Sequence, residues 1–386
     1  MLCLPDRGCV SQPQSFKIES LANVCEEAYR DGLRIRKRFG QALKPAYFFL
    51  IEQFFEGAGK LKIAVDAMGG DKAPAEIIKG AILAAEKYKC EIVLVGDKEK
   101  IRGELDETKN LPITIYHAEE VIEMGEHPAD AVRNKKNSSI VVATNLVKDG
   151  ECDAVLSAGS TGAAVAAAQL ILKRIHGIGR PAIATPIPTP RGTTLLLDSG
   201  ANVDSKPEHL VQCGIMGSLY AEHVLKIKNP SVALLNIGEE ETKGNAQVQE
   251  TYKMLKRLKK MNFKGNAEGR DIPRGEFDVV ICDGFVGNVV LKFGEGLALT
   301  IIKLLTEELT ANGGAKLLGE KLLETTFKNI SKRLDVSENG GAPLLGVDGC
   351  CVISHGSSDA RAICSGIGVA CNYVGSKILE QIKNSL

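Results

Sequence analysis

From Lys62 onward, short runs of aliphatic and β-branched residues alternate with stretches of helical spacing, and this alternation restricts the fold more than any other feature. Lys62 to Asp66 (KIAVD) reads as a strand ending in a glycine turn, and Ala73 to Tyr88 then has helical period, with Pro74 suited to a first turn. Glu91 to Gly96 is the next strand, and the pattern recurs at Ile113 to His117, Ala154 to Ala158, Thr194 to Asp198, Val232 to Ile237 and Val279 to Cys282. Parallel neighbours need crossovers, and a helix in each crossover covers the sheet on both faces. The expected fold is therefore α/β, with a doubly wound, mostly parallel sheet. In such sheets ligands bind beyond the carboxyl ends of the strands.

Charge narrows the partners. In 386 residues, 48 Lys plus Arg balance 48 Asp plus Glu, so nothing draws the whole chain to nucleic acid or to an anionic membrane. The longest uninterrupted apolar stretches, such as Ala163 to Ala168, are too short to span a bilayer, which argues against an integral membrane protein. The 11 cysteines are scattered and form no CxxC pair, so buried, reduced thiols in a cytoplasmic protein are expected. Cys350 and Cys351 are adjacent, and neighbours on a strand point to opposite faces, so this pair too reads as structural.

Residues 1 to 60 differ in character: they hold 8 of the 18 aromatic residues and a basic run, Arg34 to Arg38. Acidic residues at Glu19, Glu26, Glu27 and Asp31 argue against a mitochondrial presequence, and no signal-peptide core is present. This segment is read as an N-terminal extension of unknown role. It holds 9 basic and 7 acidic residues, which leaves 39 against 41, a net −2, for the rest.

Five loops at the strand ends are rich in Gly, Ser, Asn and Asp: Asp66-Ala67-Met68-Gly69-Gly70-Asp71; Ser157-Ala158-Gly159-Ser160-Thr161-Gly162-Ala163; Asp198 to Asp204; Asp283-Gly284-Phe285-Val286-Gly287-Asn288; and His355-Gly356-Ser357-Ser358. Small residues let backbone N–H groups approach an anion closely. One such loop is more often a tight turn with a helix cap, but five at one sheet edge point to anion binding. GxGxxG does not follow the first strand, and no GxxxxGK[ST], HExxH or GxSxG occurs, which leaves no motif for nucleotide, metal or covalent serine chemistry. Neither a metal nor a cofactor is expected. Candidate cations are Arg133 and Lys135, ahead of Asn137-Ser138-Ser139, and Lys206, with His209 three residues on at the start of a helix near Pro207. The competing readings are a solvated helix start and a capping or packing histidine.

From about Lys62 to the end the chain resembles the PlsX family of acyl-acyl carrier protein:phosphate acyltransferases. The likeness rests on KIAVDAMGGDKAP, VIEMGEHPADAVRNKKNSS, SAGSTGA, LLLDSGANVDSKPEHL, NIGEEETKGN, DGFVGNVVLK and HGSSD, in that order. It departs at Ser160, where Asn is common, and at Ser199, where Val is common. The resemblance implies a sheet of the isocitrate and isopropylmalate dehydrogenase type, a homodimer, and transfer of an acyl chain from acyl carrier protein to inorganic phosphate. It further implies peripheral association with the inner face of the membrane, where a glycerol-3-phosphate acyltransferase would use the acyl phosphate. The rivals are a phosphotransacetylase, a β-decarboxylating dehydrogenase and a non-catalytic carrier-binding scaffold.

Phosphate is already an anionic nucleophile, so attack on a thioester needs positioning and charge stabilisation more than a strong base. The expected phosphate pocket is framed by Asp66, Gly69, Gly70 and Asp71 with Ser157, Gly159, Ser160, Thr161 and Gly162. Lys206, with Asn202, Asp204 and His209, is expected to bind charge or move the proton. Asp283, Gly284, Phe285, Gly287 and Asn288, with His355, Gly356 and Ser357, complete the wall. Residues 295 to 335 read as a helical hairpin insertion around Gly313-Gly314, its second helix (315 to 334) basic and amphipathic, suited to a dimer or a membrane surface.

Overall fold

The computed structural model describes residues 60–105, 111–311 and 340–385. The N-terminal extension up to residue 59 and the second helix of the expected hairpin lie outside the described residues. Eleven strands form one sheet, in the order β3-β2-β1-β4-β11-β10-β5-β6-β9-β7-β8. They are β1 Lys62–Asp66, β2 Glu91–Gly96, β3 Ile113–His117, β4 Ala154–Ser157, β5 Ala182–Thr189, β6 Gly192–Leu197, β7 Val232–Asn236, β8 Phe263–Glu268, β9 Val279–Ile281, β10 Ala342–Leu345 and β11 Cys350–Ile353. Seven of the ten strand pairings are parallel.

The three antiparallel pairings are β11–β10, β10–β5 and β5–β6. Three reversals in a row make β6, β9, β7 and β8 run opposite to β3, β2, β1, β4 and β11. The five glycine-rich loops therefore leave the sheet in two opposed sets, not at one edge as expected: the loops after β1, β4 and β11 form one set, and those after β6 and β9 the other. They meet across β10 and β5.

Four strands escape the sequence pattern. β5 (AIATPIPT) contains Pro186 and Pro188, which normally break strands. Both are tolerated because β10 pairs only with Ala182 and Ile183; beyond these, β5 is paired on the β6 side alone.

Alternation along the strands fills a core on each face. Ile63 and Val65 belong to one apolar cluster and Ala64 to the other. Cys350 and Cys351 divide in the same way, both almost fully buried, as adjacent strand residues must. The described cysteines are free thiols and buried. On the first face, α1 (Ala75–Tyr88) packs against a later helix, Ala360–Gly375. The opposite face carries α3 (Pro128–Asn134), α4 (Ser139–Lys148) and α5 (Thr161–Ala167); α2 is the short Lys98–Glu104. The remaining helices are α6 (Pro207–His223), α7 (Ala246–Lys256), α8 (Gly284–Ala311), α9 (Ala360–Gly375) and α10 (Ile378–Asn384).

The first helix of the expected hairpin is the continuation of α8, which begins at Gly284 rather than near 295. Its segment Gly284–Glu308, which contains an 18-residue stretch of mean hydropathy 1.5, is long and apolar enough to cross a bilayer, which corrects the expectation that no stretch qualifies. Uninterrupted runs miss it because Lys292 and Glu295 divide the apolar residues. Its N-terminal turns, however, pack on the loop that follows β6.

Candidate active site

The β1–β4 pairing sets Val65 beside Leu156, so Asp66 and Ser157 emerge side by side at the sheet edge. Ser157 Oγ donates to Asp66 Oδ2 at 2.7 Å, and the Met68 N–H donates to Oδ1 at 3.2 Å. Burial raises the pKa of this carboxyl, while hydrogen bonds from Ser139, Ser157 and the loop backbone act the other way. A Cβ at Gly69 would lie 2.5 Å from Asp66 Oδ2 and 2.8 Å from the Gly159 nitrogen, so glycine is what lets the two loops touch. The first loop also grips the one after β11: the Asp71 N–H donates to the Gly356 carbonyl at 2.8 Å, and Lys72 Nζ to the Ser357 carbonyl at 3.0 Å.

The opposing wall is organised by Asp198. Its Oδ1 accepts the N–H groups of Ile183, Gly200 and Ala201 at 3.1, 3.0 and 2.9 Å, and its Oδ2 accepts the Asn202 N–H at 2.9 Å and the Asn202 amide at 2.8 Å. Burial raises the pKa of Asp198, against the pull of these donors. The Asn202 amide also donates to the Pro181 carbonyl at 2.6 Å. Both of its N–H groups are thus taken, one by Asp198 of its own loop and one by Pro181 just ahead of β5, so Asn202 builds the wall rather than meeting substrate, contrary to the expectation. The Gly284 N–H in turn donates to the Asn202 carbonyl at 2.8 Å, and Asp283 Oδ1 accepts the Val286 N–H at 2.9 Å, which starts α8.

Between the walls lies a cleft of about 770 Å³ whose floor is Ile183 and Thr185 of β5, Ala342 of β10 and Ile353 of β11. Of the anticipated residues, Asp71, Gly159, Thr161, Gly162, Asn288, His355, Gly356 and Ser357 line it. Asp66, Gly69, Ser157, Ser160 and Ser139 surround a smaller pocket between the first two loops. Gly70, at φ 116°, makes the turn that only glycine readily adopts. Gly287 packs against Asp198, while Phe285 points outward and is 60% exposed.

The expected cations are not in this cleft. Arg133 pairs with Asp130 at 3.6 Å, and Lys135 with Glu126 at 2.6 Å and with the Val121 carbonyl at 2.9 Å, so Lys135 staples its own loop. Lys206, Asp204 and His209 stand at the head of α6, outside the cleft lining. His209 Nδ1 accepts the Lys206 N–H at 3.2 Å, the capping role weighed as its alternative. Burial, then the charge of Arg180, hold its pKa below 6.5 and keep the imidazole neutral near pH 7.

Three cations missed by sequence reading line the cleft instead: Lys72, Lys292 and Arg361. Arg361 is paired with Asp359 at 3.4 Å. Lys292 Nζ stands 3.2 Å from His355 Nε2, whose Nδ1 faces Ser357 Oγ at 2.8 Å. Lys292 was within reach of the sequence, because it follows Asn288 by four residues and so shares its helix face. Ser199, bonded to Thr185 through hydroxyls 2.6 Å apart, lines the same wall.

A family model described as fatty acid synthesis protein matches residues 61–381. A phosphate acyltransferase from Pelotomaculum thermopropionicum is 55% identical over 327 residues, which is 84% of this chain and 95% of that one. This chain belongs to the fatty acid synthesis protein family, that of PlsX. A second phosphate acyltransferase, from Desulfitobacterium hafniense, is 56% identical over 329 residues, covering 84% of this chain and 97% of its own. Among solved structures, a phosphotransacetylase from Streptococcus pyogenes aligns with a TM-score of 0.54 at 17% identity, over 86% of this chain and 99% of that one. The EutD phosphotransacetylase from Staphylococcus aureus gives 0.51 at 15% identity, over 83% and 94%. At such identities the likeness is one of fold alone.

Proposed function

We propose that this chain transfers a long-chain acyl group from acyl carrier protein to inorganic phosphate, giving acyl phosphate for phospholipid synthesis. The observation that carries the reading is the near full-length match to phosphate acyltransferases. The cleft is chemically suited to it. Phosphate needs no covalent helper, and here Lys72 and Lys292 bring positive charge to the glycine-rich loops that line the cleft. We place phosphate among Asp71, Lys72, Gly159 and Thr161, with the thioester toward Asn288 and His355. Lys206, at the end of the loop whose Ser199 and Gly200 line the cleft, binds charge from the rim.

The same reading takes the chain to be a cytoplasmic homodimer that touches the membrane peripherally and hands its product to a membrane-bound glycerol-3-phosphate acyltransferase. Support for the dimer comes from α8, where Val289, Phe293 and Leu297 are exposed in succession at helical spacing. A one-chain mass by light scattering would remove the dimer.

Release of free carrier thiol from a long-chain acyl carrier protein, with and without phosphate, tests the function. Release that requires phosphate is expected. Phosphate-independent release would mean a thioesterase, preference for acetyl-CoA a phosphotransacetylase, and no release a scaffold.

A further inference from the structure

Lys292 lies on α8 and His355 follows β11, so their contact at 3.2 Å joins the two walls of the cleft. An ammonium has three donors and no acceptor, so it meets a ring nitrogen only by donating. Nε2 of His355 must therefore present its lone pair to Lys292, which puts the ring proton on Nδ1. From there it is donated to Ser357 Oγ at 2.8 Å; the Ser357 N–H, a second donor aimed at Nδ1 from 3.2 Å, is then left without the ring as its acceptor, since a neutral ring accepts at one nitrogen only. Glu295, one turn along α8, holds a carboxylate oxygen 3.8 Å from Lys292 Nζ. The ammonium is thus fixed by one N–H to a neutral ring and turned toward the space that Lys292, Glu295 and His355 all line.

We propose that Lys292 is the acid that protonates the departing sulfur, with His355 as its positioning residue; this rests on the acyl transfer set out above. An oxygen of hydrogen phosphate dianion bonds to the thioester carbonyl carbon, and the C–S bond breaks with its electron pair going to sulfur. Lys292 Nζ gives that sulfur a proton. The resulting amine takes up the proton that the phosphate releases as the acyl phosphate dianion forms. The products are acyl phosphate and a neutral thiol, and Lys292 is an ammonium again, so the nucleophile's proton has been passed to the leaving group. An alkyl thiol, with a pKa of about 8.5 in the free cysteine side chain, is a leaving group basic enough to need this help.

The test compares Lys292→Met and Lys292→Arg with the unaltered chain on two acyl donors, an alkyl thioester and an aryl thioester whose thiolate leaves without a proton. Both variants should lose about 10²-fold or more in kcat on the alkyl donor. On the aryl donor kcat should stay within about threefold of the unaltered chain, with KM for phosphate raised in Lys292→Met, which loses the charge, and kept in Lys292→Arg. Arginine keeps the charge but holds its proton, so it separates charge from acid. His355→Gln should show a smaller loss with the same dependence on donor. Equal losses on both donors, or recovery of alkyl-donor turnover by Lys292→Arg, would overturn the inference. Absence of phosphate-dependent release by the unaltered chain from either donor would instead overturn the reading on which it rests.

Discussion

A Cβ built on Gly287 would stand 1.9 Å from the carbonyl oxygen of Asp198, which means that α8 lies directly on the loop leaving β6. No side chain fits in that gap, and the obstacle is backbone on both sides. Gly287→Ala must therefore lift the N-terminal turn of α8 away from the wall, carrying Asn288 and Lys292 with it. We expect a loss of about 2 kcal/mol or more in urea unfolding and a larger proportional loss in turnover. Unchanged stability would mean that the helix is not seated on this loop.

Asp198 holds the other side of that contact. Five N–H groups converge on its two carboxylate oxygens. Asp198→Asn replaces one acceptor by an NH₂ group pointed at donors, at a site that is 1% exposed. The expected cost is about 3 kcal/mol, read by urea unfolding. Wild-type stability in this variant would show that the donors are satisfied elsewhere.

Acid should loosen the face of the sheet that carries α1 and α9. Glu76 Oε2 accepts the Ala360 N–H at 2.9 Å, joining α1 to the start of α9, and Lys79 lies 3.0 Å away. The Lys79 hydrogen bond, then the Ala360 N–H, hold Glu76 below its ordinary 4.5, and the Ala362 N–H holds Asp359 below 3.8. A depressed carboxylate stabilises the fold above the unfolded-state pKa, and the contribution disappears as pH falls through the folded-state value. Stability should thus drop as pH falls below the ordinary 4.5 of Glu76 and through the lower folded-state values, and the drop should be shallower in Glu76→Gln. An identical pH slope in that variant would exclude Glu76 as a source of the acid sensitivity.

The strands most easily read from sequence were those with uninterrupted aliphatic runs, such as Lys62–Asp66 and Glu91–Gly96, where local propensity and tertiary role agree. β5 was hidden by its two prolines, because only the pairing partners reveal that the missing N–H groups face an unpaired side. The same blindness to pairing put all five loops at one edge, since a run of residues does not show the direction of a strand. Within the site, glycines and small polar residues were legible because the loops need them locally. Lys72 was not, because its approach to the loop after β11 joins residues far apart in the chain; helix spacing could place Lys292 beside Asn288 but not beside His355, more than 60 residues later. Asn202 and Lys135 misled for the converse reason: each has the right chemistry, but its donors are taken by neighbours.

Lys206 and His209 sit three residues apart and are expected to behave differently. His209 Nδ1 receives the Lys206 N–H at 3.2 Å, so it caps α6, and its depressed pKa leaves it uncharged near neutrality. His209→Ala should cost about 1 kcal/mol of stability, as the loss of a helix cap does, with a minor effect on kcat. In the unaltered chain the neutral histidine stabilises the fold above pH 6.5, and this contribution is lost as pH falls from 6.5 through the folded-state value. The Lys206 side chain has no part in the cap bond, which uses its backbone nitrogen. Lys206→Ala should therefore leave thermal unfolding unchanged while lowering turnover by about tenfold or more, through loss of charge at the rim of the cleft. Near-normal turnover would take Lys206 out of the mechanism and leave Lys72 and Lys292 as the cations that matter.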